Sequence, residues 1–75
     1  MPVTSVVIEV EDGASEAVLG GLARVPHVNV FGVKENQIVA VIEGESPGDV
    51  EGAVQAIRTL GGVAGVYPVY SGEYD

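Results

Sequence analysis

Few residues in this 75-residue chain have the side-chain types that chemistry needs. His27 is the only histidine, and there is no cysteine to act with it. It follows a proline at the start of a predicted strand, which suits a solvated residue better than a positioned general base. Glu43 and Glu45 point to alternate sides of a strand end, so they do not make a carboxylate pair for acid–base work. Glu11, Asp12 and Glu16 stand close enough in sequence to hold a hard cation, but a solvated acidic face accounts for them better. Gly20-Gly21 and Gly61-Gly62 are isolated pairs, not a loop that cradles phosphate. With one histidine, no thiol and scattered acids, no transition-metal site is expected. The residues assign no catalytic group, no metal ligand and no cofactor, and the chain reads as a binder rather than an enzyme.

Charge narrows what it could bind. Eleven acidic side chains face three basic ones, Arg24, Lys34 and Arg58, for a net charge of -8. Nucleic acid is excluded as a partner, because phosphate contacts need clustered Lys and Arg. An anionic membrane surface is disfavoured for the same reason. An acidic surface steers cationic partners toward it, although solubility alone also explains the charge. No apolar run approaches the roughly 20 residues that span a bilayer. The N-terminus lacks the basic stretch of a secretory signal. A cytoplasmic protein without membrane insertion is expected, and the lack of cysteine fits that compartment.

The elements that would position a binding surface follow from periodicity. Residues 4–10 read as a strand with Val6, Ile8 and Val10 toward the core and Ser5, Val7 and Glu9 on the other side. Residues 14–24 form a short helix, capped by Asp12 or Ser15, with Ala14, Val18, Gly21, Leu22 and Val25 along one face. Gly20-Gly21 weakens it by roughly 1 kcal/mol per glycine, and close approach to the sheet is the expected compensation. Residues 27–33 form a second strand, with Val28 and Val30 inward and Asn29, Phe31 and Val33 outward. A tight turn at Lys34-Glu35-Asn36 leads to a third strand, 37–43, with Ile38, Ala40 and Ile42 inward. Ser46-Pro47-Gly48-Asp49 is a capping-box variant that opens a helix running to about Leu60. Val50, Ala53, Val54, Ile57 and Leu60 make its apolar stripe, and Gly61-Gly62 ends it. Residues 63–71 form the last strand, and Pro68 suits a sheet edge. Residues 72–75 read as a loose acidic tail.

The order β-α-β-β-α-β carries a weak internal repeat. Val25-Pro26-His27-Val28 corresponds to Leu60-Gly61-Gly62-Val63, and Glu9 to Glu43. Two such halves make a ferredoxin-like α+β fold, one domain over residues 1–75 with its ordered core at 4–71. Right-handed crossovers put both helices on one face of an antiparallel sheet of strand order 4-1-3-2. The uncovered face then carries Ser5, Val7, Glu9, Phe31, Val39, Val41, Glu43, Tyr67 and Val69, beside Asn29, Val33 and Ser71. That is an apolar floor with carboxylates toward its rim, and such a patch implies a partner. A cationic, partly apolar peptide fits it. Two copies packed sheet to sheet, a homodimer, fit it equally.

The stretches Ser5-Val6-Val7-Ile8, Val25-Pro26-His27-Val28, Val39-Ala40-Val41-Ile42-Glu43-Gly44-Glu45-Ser46 and Gly61-Gly62-Val63-Ala64-Gly65-Val66-Tyr67-Pro68-Val69-Tyr70 resemble the NapD family, from Ser5 to Ser71 without large gaps. The resemblance implies a ferredoxin-like fold and no enzymatic activity. It implies a cytoplasmic assembly chaperone that binds the twin-arginine signal peptide of the periplasmic nitrate reductase catalytic subunit, NapA, and delays export until the molybdenum cofactor is inserted. In such proteins the peptide lies, largely helical, against the sheet. Ser71 departs from the family, which often has His after the closing Val-Tyr, and this bears on which molybdoenzyme is the client.

A small-molecule effector-binding or dimerisation domain of the ACT or Lrp/AsnC type shares the element order. Such domains are usually attached to an enzyme or a DNA-binding unit, and neither is present in this sequence. An acylphosphatase-like hydrolase needs an arginine in the loop after the first strand, where Glu11-Asp12-Gly13 would repel phosphate.

Overall fold

The computed structural model describes residues 1–73. Six elements follow in the expected order: β1 (Pro2–Val10), α1 (Ser15–Leu22), β2 (Val28–Lys34), β3 (Gln37–Glu43), α2 (Pro47–Arg58) and β4 (Val63–Glu73). The four strands form one sheet in the order β2-β3-β1-β4, with antiparallel neighbours throughout. This is the ferredoxin-like topology, with β1 and β3 central.

The core lies between the sheet and the helices. Val6, Ile8 and Val10 of β1 and Ile38, Ala40 and Ile42 of β3 are buried against Val18 and Leu22 of α1 and Ala53 and Ile57 of α2. Both helices therefore cover one face, and alternation along β1 and β3 sends their other residues to the opposite face. Val50, Val54 and Leu60 pack against the same cluster from its margin.

Several boundaries differ from the periodicity, each for a local reason. β1 starts two residues early because Pro2 and Val3 pair with Glu73 and Gly72. Gly72 and Glu73 thus belong to β4, and of the expected tail only positions 74–75 lie outside the described residues. Ala14, not Asp12 or Ser15, occupies the α1 N-cap, and no side chain caps it. The Asp12 carboxylate instead accepts a hydrogen bond from the Asn36 amide, tying the β1–α1 loop to the β2–β3 turn. Helix α1 ends at Leu22, and Arg24 and Val25 continue as tight turns onto Gly21 and Leu22 carbonyls. A β-carbon at Gly21 would come within 2.8 Å of the Leu60 side chain. This glycine therefore makes room for the end of the other helical segment, not for the sheet. Helix α2 stops at Arg58, with Thr59 as C-cap and its hydroxyl donating to the Ala56 carbonyl at 2.8 Å.

The entry to α2 is the capping box expected from Ser46 and Asp49. Ser46 Oγ accepts from the Asp49 N–H, and Asp49 Oδ2 accepts from the N–H groups of Glu45 (2.9 Å) and Ser46 (3.2 Å). Gly44 is required here, since a β-carbon would stand 2.6 Å from Asp49 Cβ. The Glu45 and Ser46 N–H groups hold the Asp49 carboxyl below its ordinary value of 3.8. A carboxylate with a lowered folded-state pKa adds stability that is present above its unfolded value and lost as pH falls through the folded one. The wild type is therefore expected to lose stability below about pH 4 more steeply than Asp49→Asn, read by urea midpoints across pH 3–6.

The internal repeat has a backbone counterpart. His27 and Gly62, equivalent in the two halves, both take left-handed conformations, at φ 73° and 95°. His27 is not in β2, which begins at Val28. Its carbonyl accepts from the Glu43 N–H at 2.9 Å, so the turn is tied to the end of β3.

Candidate functional site

The uncovered face is an ordered grid, because strand register fixes which side chains stand beside one another. One row across the sheet, from β4 to β2, is Gly65, Glu9, Gln37 and Lys34. The next is Tyr67, Val7, Val39 and Gly32. The third is Tyr70, Ser5, Val41 and Asn29. The fourth is Gly72, Val3 and Glu43. Val39, at 43% exposure, stands at the centre, with Val7 and Val41 half-buried around it. Glu9 and Glu43 close opposite ends. The six residue steps along β1 from Val3 to Glu9 separate their rows by roughly 20 Å. A shallow polar hollow of about 350 Å³, lined by Glu9, Lys34, Glu35, Asn36 and Gln37, lies at the Glu9 end.

Ser5, Val7, Glu9, Val39, Val41, Glu43 and Tyr67 thus share the uncovered face, as their alternation requires. The two edge strands depart from simple alternation because their register jumps, once in β2 and twice in β4. In β2 the register jumps between Val30 and Gly32, leaving Phe31 as the extra residue. Downstream parity inverts, so Val33 pairs with Ile38 and falls on the helix side, not with Phe31 as expected. In β4 the register jumps from Pro68 opposite Val6 to Tyr70 opposite Ser5, with Val69 the extra residue. Ser71 consequently faces Thr4 on the helix side, where the two hydroxyls lie 3.2 Å apart. Tyr70, unforeseen, takes the place on the open face expected for Ser71. Two cues could have revealed it: Pro68, since proline marks edges and bulges, and the odd spacing of Tyr67 and Tyr70. Phe31 and Val69 are highly exposed at their bulges, at 73% and 68%.

The tyrosines lie along the sheet rather than away from it. A β-carbon at Gly65 would come within 2.6 Å of Tyr67 Oη and 2.8 Å of its Cζ. One at Gly72 would come within 2.9 Å of Tyr70 Cζ. Each ring therefore rests on a glycine two residues away in its own strand, and the two point toward opposite ends of the face. Among the described residues the carboxylates of Glu9 and Glu43 make no hydrogen bond or ion pair.

The residues that might have done chemistry are not assembled. His27 is exposed beside a groove of about 270 Å³ on the helix side, with Val25, Pro26, Gly48, Asp49 and Gly52, and neither Glu43 nor Glu45 lines that groove. No group of three or more His, Asp or Glu residues placed to hold a metal occurs among the described residues. Among those residues, too, no helix is long and apolar enough to cross a membrane.

Comparison with known proteins points one way. The solution structure of the Escherichia coli Tat proofreading chaperone NapD superposes with a TM-score of 0.84, at 21% identity, over 97% of this chain and 79% of that one. The C-terminal domain of MgtC from Mycobacterium tuberculosis gives a TM-score of 0.50 at 19% identity, over 97% of this chain and 88% of that domain. At these identities the likenesses establish the fold. No curated protein sequence matches. The family model described as NapD protein matches residues 1–73, and the chain belongs to the NapD family.

Proposed function

We propose that the uncovered sheet face binds the twin-arginine signal peptide of a NapA-type molybdoenzyme precursor in the cytoplasm, holding back export until the molybdenum cofactor is in place. As a member of the NapD family the chain is a chaperone and not an enzyme. The observation that carries the reading is the face itself: a valine and tyrosine floor with a carboxylate at each end that has no partner among the described residues, on a protein of net charge -8. Adjacent arginines with an apolar stretch beside them complement that arrangement in charge and polarity. In this reading Ser5, Val7, Val39, Val41 and Tyr67 supply the floor, Phe31 and Val69 its sides, and Glu9 and Glu43 the charge.

The edges argue for binding on the face rather than by strand addition. Peptide strands add to long, regular edges. Here β2 is interrupted at Phe31, and β4 carries Pro68 and two register jumps in its pairing with β1, between Ser5 and Val6 and between Glu9 and Val10. A helix laid over the valines satisfies its own backbone and needs no edge.

The expected result in calorimetric titration is saturable one-to-one binding of a NapA-type signal peptide. A copy with both arginines changed to alanine should bind about tenfold or more weakly, the scale of losing a charge-assisted contact. No binding to either peptide, together with a stable dimer by light scattering, would instead favour a second copy on the face and an effector or dimerisation module of ACT or Lrp/AsnC type. The bare apolar floor is the observation that keeps that second reading in play.

A further inference from the structure

The two ends of the face are not equivalent. Resting on the peptide-binding reading above, we infer that Tyr67, laid on Gly65 beside Glu9, is a seat for one guanidinium group, which selects arginine over lysine and fixes the end of the face where the basic part of the peptide sits.

Three features converge on this spot. First, Gly65 and Glu9 are direct cross-strand partners, so the ring over Gly65 lies alongside the Glu9 side chain. Second, the ring is held from below by a residue without a side chain, while Tyr67 remains 52% exposed. Its outer face is open. Third, Glu9 is half-buried and has no partner among the described residues. An aromatic face beside an unpaired carboxylate is the arrangement in which a planar cation stacks and donates at once. A guanidinium does both, while an ammonium is a compact, strongly hydrated point charge. Gln37, the next residue across the row, adds an amide carbonyl that can accept a further N–H.

The Glu43 end lacks this juxtaposition. Tyr70 rests on Gly72, but Val3 stands between Gly72 and Glu43, so ring and carboxylate are two strands apart. Neighbouring strands lie about 4.8 Å apart, which places them near 10 Å from each other. One guanidinium does not meet both. The basic end of the peptide therefore goes to the Glu9 end, and its apolar segment runs over Val7, Val39 and Val41 toward Glu43.

Gly65 gives a sharp test, because its backbone lies outside the left-handed region and alanine fits the main chain. Only the ring must move. The experiment titrates the twin-arginine peptide and its twin-lysine copy against wild type, Tyr67→Leu, Gly65→Ala and Tyr70→Leu, with thermal melts to check folding. Wild type is expected to prefer the arginine peptide about tenfold. Tyr67→Leu and Gly65→Ala should reduce that preference to within about twofold, while Tyr70→Leu lowers both affinities alike and keeps the ratio. A wild-type preference below twofold, or a ratio unchanged in folded Tyr67→Leu and Gly65→Ala, overturns the seat. If neither peptide binds wild type, the peptide-binding reading itself fails. Binding that requires the valine floor but ignores Tyr67 overturns the seat alone.

Discussion

Val39→Asp is expected to abolish peptide binding while leaving the fold intact. Val39 stands at the centre of the grid, between Val7 and Gly32, and is 43% exposed before any partner arrives. The folded protein alone therefore tolerates a charge there, because water reaches it. In a complex the same carboxylate would be covered by the apolar part of the peptide and left without a partner. Burying an unpaired charge in an interface costs about 3–5 kcal/mol, which is roughly a hundredfold or more in affinity. Titration with the arginine peptide should show no saturable binding, and the thermal midpoint should fall by no more than a few degrees. Unchanged affinity in a folded Val39→Asp protein would remove the face as the binding site. It would point instead to the β2 edge, where the mutation has no direct effect.

Ile8→Ala is expected to have the largest effect on stability. Ile8 is fully buried in a central strand, with Ile38 opposite in β3 and Val66 opposite in β4. Truncating a buried isoleucine typically costs about 2–5 kcal/mol, for the lost burial and the cavity left behind. A 75-residue domain has only about 4–11 kcal/mol in total. The urea midpoint should drop by a third or more, and the variant should be partly unfolded at 37 °C. By contrast Val7→Ala, the neighbouring residue on the open side, should shift the midpoint by less than half as much. Equal losses at the two positions would contradict the assignment of covered and uncovered faces.

The sequence carried the central strands in full and the edge strands only in part. In β1 and β3 the alternation of Val and Ile with Ser, Glu and Val is unbroken, and Ile8, Ile38 and Ile42 sit where it predicts. Their register is also regular from Val3–Glu43 to Glu9–Gln37. At the edges the period of two fails, because Phe31 and Val69 are extra residues that no partner opposes. One inserted residue moves every following side chain to the other face. That is why Val33 and Ser71 were expected on the open side and Tyr70 was missed. Local capping was legible at Ser46 and Asp49, where the motif is self-contained. It was not legible at Asp12, whose partner Asn36 lies 24 positions away and is brought near only by the sheet. The seat of Tyr67 on Gly65 was hidden for a related reason. A glycine in a strand signals only that something comes close, and the identity of the ring above it depends on a rotamer.

The bulges have a consequence for the life of the free protein. A client-binding chaperone spends time with its apolar floor uncovered, and a sheet in that state invites stacking into fibrils. Growth of a cross-β stack needs a continuous row of free N–H and C=O groups at an edge to template the next chain. Here that row is broken at Phe31 on one side, and on the other at Val69 next to a proline that has no N–H to offer. On the proposed reading, irregular borders on both sides of the sheet let an apolar face stay uncovered between clients with less risk of templating another chain.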